Sequence, residues 1–140
     1  MKKNEILVTR FHHLAIVVES LIQKTDWYCQ VYAAKRLGDV FSDHKQKVNV
    51  QFIQSGETLI ELLEPLGKDS AVSSFLKKHG SGGIYHLAFE VNDLDLADAD
   101  VRNRGGIVVS RTKGGWRDME VMFALFLDGD EKQIVEYIKK

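Results

Sequence analysis

Apolar and polar residues follow short-range patterns along the chain that predict strands and helices in a fixed order. Residues 48–52 alternate with a period of two, which is typical of a strand with one buried face. Helices are predicted after Ser20 and after Asn92 or Asp93, because these side chains can accept hydrogen bonds from the first helical N–H groups. The other predicted strands are the segments that open each half, beginning at His13 and His86, and residues 36–41, 58–63, 107–110, 121–127 and 134–138.

Apolar stripes with helical spacing support these helices. The first stripe consists of Leu21, Tyr28, Val31 and Tyr32, and the second of Leu94, Ala97 and Val101, followed by a stop at Gly105 and Gly106. Between them, a short helix carrying Val72, Phe75 and Leu76 is predicted, with Asp69 or Ser70 as its cap and Gly80 at its end. Pro65 ends the strand before this helix.

The sequence contains an internal repeat. Residues 13–21 and 86–94 agree at five of nine positions, with an offset of 73 residues, about half the chain. Each half reads strand, helix, strand, strand, strand. We therefore predict one domain over residues 1–140, made of a first βαβββ module at 10–65, a helical linker at 66–83 and a second module at 84–138.

Four polar residues interrupt apolar strands at repeat-related positions. His13 and His86 differ by the repeat offset, and Glu61 and Glu136 differ by 75 residues. A carboxylate on the inward face of an apolar strand loses hydration worth several kcal/mol unless it is paired or bound to a cation. Two imidazoles and two carboxylates would bind one divalent metal and leave positions open for water or substrate, so we predict a metal site from these four residues.

Other candidate residues lack this support. His12 alternates to the face opposite His13, and His44 and His79 are predicted in polar turns, so all three are interpreted as structural or solvent-facing. Cys29, the only cysteine, excludes an intrachain disulfide and a cysteine-based zinc site, and we expect it to pack on the first helix. Trp27 is expected to pack there as well.

Composition narrows the classes of partner. The chain has 140 residues, 44% hydrophobic and 28% charged, which fits one globular domain. Nineteen Lys and Arg against 20 Asp and Glu give a net charge of -1, so nucleic acid and anionic membranes are not expected as partners. No segment approaches the ~18 consecutive apolar residues of a membrane span, and a cytoplasmic location is expected.

Four segments, residues 11–18, 56–65, 75–80 and 85–91, resemble the vicinal oxygen chelate superfamily of glyoxalases, bleomycin-resistance proteins and dioxygenases. The resemblance covers about residues 10–138 and is greatest to methylmalonyl-CoA epimerases and glyoxalase-like proteins. It implies an α+β fold in which two tandem βαβββ modules form a cupped mixed sheet around a metal site. The superfamily's ligand positions map onto His13, Glu61, His86 and Glu136.

The resemblance also implies a function. We expect a metal-dependent epimerase or isomerase, or a lyase of the glyoxalase type, that stabilises the enolate of a thioester or related carbonyl compound. The expected cofactor is one divalent ion of cobalt, manganese, nickel or zinc, with iron disfavoured, and Glu136 and Glu61 are the expected catalytic residues. The expected substrate is an acyl-CoA or a glutathione thiohemiacetal, and a homodimer is expected.

Two alternatives stay open. The first is an iron(II)-dependent extradiol dioxygenase, which binds its metal through two histidines and one carboxylate. Glu61, as a fourth protein ligand, argues against this alternative. A non-catalytic protein that sequesters a drug or metabolite is the other, although such relatives usually lack the ligand set.

Some positions depart from the family pattern. The family usually has Asp before its first ligand, where this chain has His12, and places an additional acidic group in the region of residues 39–46, which offers Asp39 or Asp43. In the second module, residues 111–120 are predicted to form a lid over the substrate. Arg111, Lys113 and Arg117 would bind an anionic group there, and Trp116 would exclude water.

Overall fold

The computed structural model describes residues 7–113 and 119–139. Within these ranges it is an α+β fold of three helices and eight strands, and the predicted order of elements is confirmed. No helix of the described residues is long and apolar enough to cross a membrane. The elements are β1 (Val8–Val17), α1 (Leu21–Val31), β2 (Lys35–Asp43), β3 (Val48–Ser55), β4 (Thr58–Pro65), α2 (Ala71–His79), β5 (Gly83–Val91), α3 (Leu94–Asn103), β6 (Ile107–Thr112), β7 (Val121–Asp128) and β8 (Glu131–Lys139).

The described chain divides into two compact units. The first unit, His13–Tyr85, has the strand order β2-β3-β4-β1. β1 is parallel to β4, and the β2–β3 and β3–β4 pairs are antiparallel. The second unit contains residues 7–12 together with the described residues from 86 onward, and its last four strands are ordered β5-β8-β7-β6. β5 is parallel to β8, and the β6–β7 and β7–β8 pairs are antiparallel.

Helix α1 covers one face of the first unit's sheet. Leu21 and Tyr28 of the helix pack with Ile16, Ile60 and Leu62 in one buried cluster. The helix begins after Ser20, whose side chain accepts a hydrogen bond from the Gln23 N–H group, as its N-cap role predicts. The end of the predicted stripe is less buried: Val31 is 52% exposed, and Tyr32, just beyond the helix, is 41% exposed although its ring stacks on that of Tyr28.

Trp27 also differs from its predicted packing. It is about half exposed and contacts Tyr28 edge-on, with ring centroids 5.0 Å apart. The ammonium group of Lys24 lies over its indole ring, 5.3 Å from the centroid. Trp27 is therefore a surface residue of α1, whereas Cys29 packs against the core as expected.

Helix α3 covers one face of the second unit's sheet in the same way. Its Leu94, Ala97 and Val101 pack with Met122 and Ala124 of β7, and all five side chains are buried. Asp93, one of the two predicted caps, accepts hydrogen bonds from the N–H groups of Asp95 and Leu96. Each unit therefore has one face of its sheet covered by a helix, which leaves the opposite face for chemistry.

Helix α2 lies between these two βαβββ segments in sequence. Ser70 caps it, and Gly80 ends it with a φ of 79°, a conformation that favours glycine. His79 lies in the last turn of this helix rather than in a polar turn, and its ring is 4.4 Å from that of Phe75. The predicted turn position of His79 is wrong because the helix continues as far as its C-cap, Gly80.

Candidate functional site

His13 and Glu61 lie side by side in the first unit. β1 and β4 run parallel, with His13 opposite Leu59 and Ala15 opposite Glu61. This register places the two side chains on the same face, with 3.7 Å between His13 Nε2 and Glu61 Oε1. The imidazole is 1% exposed and the carboxylate 16% exposed. The pair is therefore largely shielded from water.

His86 and Glu136 form the matching pair in the second unit. β5 and β8 run parallel, with His86 opposite Ile134 and Ala88 opposite Glu136. Here 3.2 Å separates His86 Nε2 from Glu136 Oε1, and the side chains are 1% and 7% exposed. In both units the glutamate lies two residues beyond the residue opposite the histidine. The sequence repeat is thus also a repeat of side-chain geometry.

Both pairs lie on the sheet face away from the helix of their unit. In the first unit, Ile60 and Leu62 flank Glu61 in sequence and pack against α1. Since side chains alternate along a strand, Glu61 must lie on the other face. Glu136 is placed in the same way, because its neighbours Val135 and Tyr137 pack with α3.

A phenylalanine accompanies each pair, which the sequence analysis missed. Phe52 lies opposite Glu61 in the β3–β4 pair, and its ring meets that of His13 edge-on, with centroids 6.0 Å apart. Phe123 lies opposite Glu136 in the β7–β8 pair and meets His86 edge-on at 5.5 Å. The signal was present in the sequence, since both residues lie in strands and differ by 71 positions, close to the repeat offset.

The donor set of these residues fits a divalent metal ion. Each pair offers one imidazole nitrogen and one carboxylate oxygen, donors that zinc, cobalt, nickel and manganese accept in proteins. A buried carboxylate also costs free energy unless a cation or a hydrogen-bond donor stabilises it.

Tyr85 precedes His86, and burial raises the pKa of its phenol, so this side chain stays protonated at neutral pH.

Neighbouring glutamates have other roles. On β4, Glu64 accepts hydrogen bonds from the backbone N–H of Leu21 at the start of α1 and from the side chain of Asn49. On β5, the buried Glu90 lies 3.8 Å from Arg10. Glu64 is thus a structural tie between strand and helix, distinct from Glu61 on the same strand.

The structure changes the interpretation of the acidic residues at 39–46. Asp39 is exposed on β2. Asp43 Oδ1 accepts hydrogen bonds from the backbone N–H groups of Lys45 and Gln46, at 3.0 and 3.1 Å. Asp43 therefore stabilises the β2–β3 turn, in which His44 is exposed as expected.

Two of the three cations predicted to lie in the lid, Arg111 and Lys113, have carboxylate partners within the protein. Arg111 binds two carboxylates of α3, with Nη1 lying 2.9 Å from Asp95 and 3.4 Å from Asp98. Hydrogen bonds to Asp98 hold the pKa of its carboxyl group below its ordinary value of 3.8. The bond from Arg102 has the larger effect, and the bond from Arg111 acts in the same direction. The expectation that Arg111 binds a substrate anion is not supported by this pairing. Lys113 lies 3.9 Å from Glu120, and Trp116 and Arg117 lie outside the described residues.

The sequence as a whole identifies the class. Residues 12–123 match the profile of the Glyoxalase/Bleomycin resistance protein/Dioxygenase superfamily. The chain belongs to this superfamily, as its motifs indicated.

Within the superfamily, the chain is similar to methylmalonyl-CoA epimerases. It is 35% identical over 95 residues to the mitochondrial methylmalonyl-CoA epimerase of Bos taurus, which covers 68% of this chain and 54% of that protein. It is 34% identical over 103 residues to the ethylmalonyl-CoA/methylmalonyl-CoA epimerase of Cereibacter sphaeroides, covering 74% of this chain and 76% of that one. The chain thus spans about half the length of the mammalian relatives that it matches.

The fold agrees with a crystal structure of the same class. The methylmalonyl-CoA epimerase of Mycobacterium tuberculosis superposes with a TM-score of 0.82, covering 99% of this chain and 92% of that chain at 24% identity. This similarity confirms the expected vicinal oxygen chelate fold.

Proposed function

We propose that this protein is a metal-dependent epimerase of acyl-CoA thioesters. The observation that carries the proposal is the His–Glu pair, buried and repeated with the same register in both units. The relatives named above are epimerases of methylmalonyl-CoA and ethylmalonyl-CoA, which supports the same reaction and substrate class here.

The proposed cofactor is one divalent ion of cobalt, manganese, nickel or zinc. A catalytic metal site uses at least three protein ligands in most enzymes, whereas each His–Glu pair supplies two. We therefore assign both pairs to one ion, with His13, Glu61, His86 and Glu136 as ligands.

In the proposed reaction, the carbon next to the thioester carbonyl loses a proton from one face and regains one on the other. A divalent ion, when bound, supplies positive charge that stabilises negative charge on the substrate's carbonyl oxygen. Glu136 takes the proton from carbon, and the electron pair of the broken C–H bond moves into the enolate. Glu61 then passes a proton from water to the opposite face, which inverts the carbon centre, and Glu136 returns its proton to water.

The two phenylalanines would support this chemistry. Phe52 and Phe123 each meet a histidine ring edge-on and lie opposite a glutamate on the neighbouring strand, so apolar rings adjoin both His–Glu pairs. A carboxylate with fewer water contacts interacts more strongly with a nearby proton or cation. Burial by these rings would therefore keep Glu61 and Glu136 reactive.

Incubation with methylmalonyl-CoA in ²H₂O, followed by mass spectrometry, tests the proposal. The expected result is uptake of one deuterium at the carbon next to the carbonyl, lost when the metal is removed with a chelator and restored when it is returned. Metal analysis of the purified protein should give about one divalent ion per chain. Oxygen consumption with a catechol, or tight binding without exchange on any thioester, would replace the epimerase proposal with one of the two alternatives.

Two further expectations complete the proposal. A cytoplasmic location and a homodimer stay predictions, to be tested by fractionation and by light scattering.

A further inference from the structure

An aromatic stack continues outward from the first His–Glu pair. The ring of Phe41 on β2 stacks on that of Phe52, with centroids 6.2 Å apart and an interplanar angle of 21°. Phe52 in turn meets His13 edge-on. Phe52 is 4% exposed, whereas Phe41 is 49% exposed. Only one buried ring therefore separates a half-exposed aromatic surface from a proposed metal ligand.

A bulge in β2 sets the position of Phe41. Leu37 lies opposite Phe52, and Phe41 lies opposite Val50. Residues 38–40 of β2 therefore face a single residue of β3, Gln51. The side chain of Gln51 is buried, and its Nε2 donates a hydrogen bond to the carbonyl oxygen of Gly38 at 3.1 Å. The same Nε2 lies 3.5 Å from the carbonyl oxygen of Leu37. Gly38 has a φ of 70°, which favours glycine. The bulge is thus a built feature that places Phe41 next to Phe52.

Among the described residues of the second unit, the corresponding strand positions do not repeat this extension. There Phe123 corresponds to Phe52, and Val121 corresponds to Val50 by its place two residues earlier on the strand. The residue opposite Val121 is Thr112, so no phenylalanine takes the place of Phe41. The stack is therefore not a requirement of the repeated fold, and its exposed ring loses hydrophobic stabilisation unless something apolar covers it.

We propose that the exposed face of Phe41, backed by the buried ring of Phe52, forms an apolar subsite for the substituent carried by the substrate's reacting carbon. The inference rests on the proposed function and extends it: the preferred thioester carries an alkyl or aryl group larger than ethyl. Such a group covers the exposed face of Phe41 while the thioester carbonyl lies at the His–Glu site. Each methylene that becomes buried improves binding about fourfold.

Deuterium exchange on a series of malonyl-CoA thioesters tests this subsite. The substituents are methyl, ethyl, butyl and benzyl, and the proteins are wild type, Phe41→Ala, Phe41→Leu and the control Val40→Ala. Val40 is the neighbouring exposed residue, so its change removes apolar surface outside the stack. Thermal unfolding of each variant shows whether it is folded.

For wild type and Val40→Ala, kcat/KM should rise at least tenfold from methyl to butyl. In Phe41→Ala, kcat/KM should fall about tenfold more for the butyl than for the methyl compound. In Phe41→Leu, part of this additional fall should be recovered. Parallel chain-length profiles for wild type and Phe41→Ala would overturn the subsite while leaving the epimerase proposal intact.

A direct binding measurement separates failure of the subsite from failure of the reaction. If wild type exchanges deuterium on none of the thioesters, the proposed function fails, and calorimetric binding of the butyl compound then decides the subsite. At least tenfold weaker binding by Phe41→Ala than by Val40→Ala supports it. Equal affinities overturn it.

Discussion

Glu136 lies closer to His86 than Glu61 does to His13, with nitrogen–oxygen distances of 3.2 and 3.7 Å. The carboxylate of Glu136 is also the more buried of the two. Charges interact more strongly where water is excluded, so the two glutamates differ in environment although the repeat gives them the same register. The proposed role of Glu136 as the residue that removes the proton rests on this difference and stays a prediction.

Replacing His86 by Ala should lower the affinity for a divalent ion by at least tenfold. Loss of the imidazole removes one of four proposed ligands. Because replacing a residue that merely hydrogen-bonds to a metal ligand already lowers metal affinity by about 10- to 100-fold, loss of a ligand should have at least this effect. Metal content after dialysis against graded chelator measures the effect. His44→Ala, in the exposed β2–β3 turn, is the control and should keep the wild-type metal content. Full occupancy in His86→Ala would remove His86 from the ligand set.

Glu136→Gln should keep the fold and lower deuterium exchange by about 10²-fold or more. The amide retains an oxygen that can bind a metal, but it does not accept a proton near neutral pH. The rate of exchange on methylmalonyl-CoA is the measurement, and Glu131→Gln on the same strand is the control. An unchanged rate in Glu136→Gln would assign proton removal to another residue, with Glu61 tested next.

The repeat made much of this arrangement predictable. Apolar and alternating segments located the strands, and Ser20 and Asp93 marked the helix starts, because caps are local interactions between neighbouring residues. The His–Glu pairs followed from their shared offset and apolar context. Their distances could not be predicted, since they depend on the parallel register of β1 with β4 and of β5 with β8.

Other features depended on long-range contacts that no local pattern specifies. The β2 bulge needs Gln51, which is 13 residues from Gly38 in sequence. Arg111 pairs with Asp95 and Asp98 because β6 lies beside α3, so its charge alone suggested the wrong partner. Val31 and Tyr32 matched an apolar stripe but lie at and just beyond the helix end.

Gln51→Leu should destabilise the protein by about 1–3 kcal/mol. The side chain is buried, and Leu would leave the carbonyl groups at the bulge without the amide that now donates to them. Urea unfolding measures the change. Gln54→Leu is the control: this side chain donates a solvent-exposed hydrogen bond to the carbonyl oxygen of Gly56 in the β3–β4 turn, and its loss should change stability by no more than about 0.5 kcal/mol. A loss of similar size in both variants would show that Gln51 has no special role in the bulge.

Asp98→Asn should make the protein less stable at neutral pH and leave it little changed in acid. Hydrogen bonds from Arg102 and Arg111 hold the pKa of Asp98 in the folded protein below 3.8. The unfolded chain therefore binds this proton first as the pH falls, so the stabilisation is present above 3.8 and is lost as the pH passes through the folded value. Exposed ion pairs typically contribute on the order of 0.5 kcal/mol, which sets the expected difference at pH 7. Urea unfolding of both proteins at pH 7 and pH 3 should show that difference shrinking in acid, and 1 M NaCl should shrink it at pH 7 by screening the charges. A difference of equal size under all three conditions would mean that Asp98 stabilises α3 by some means other than its charge.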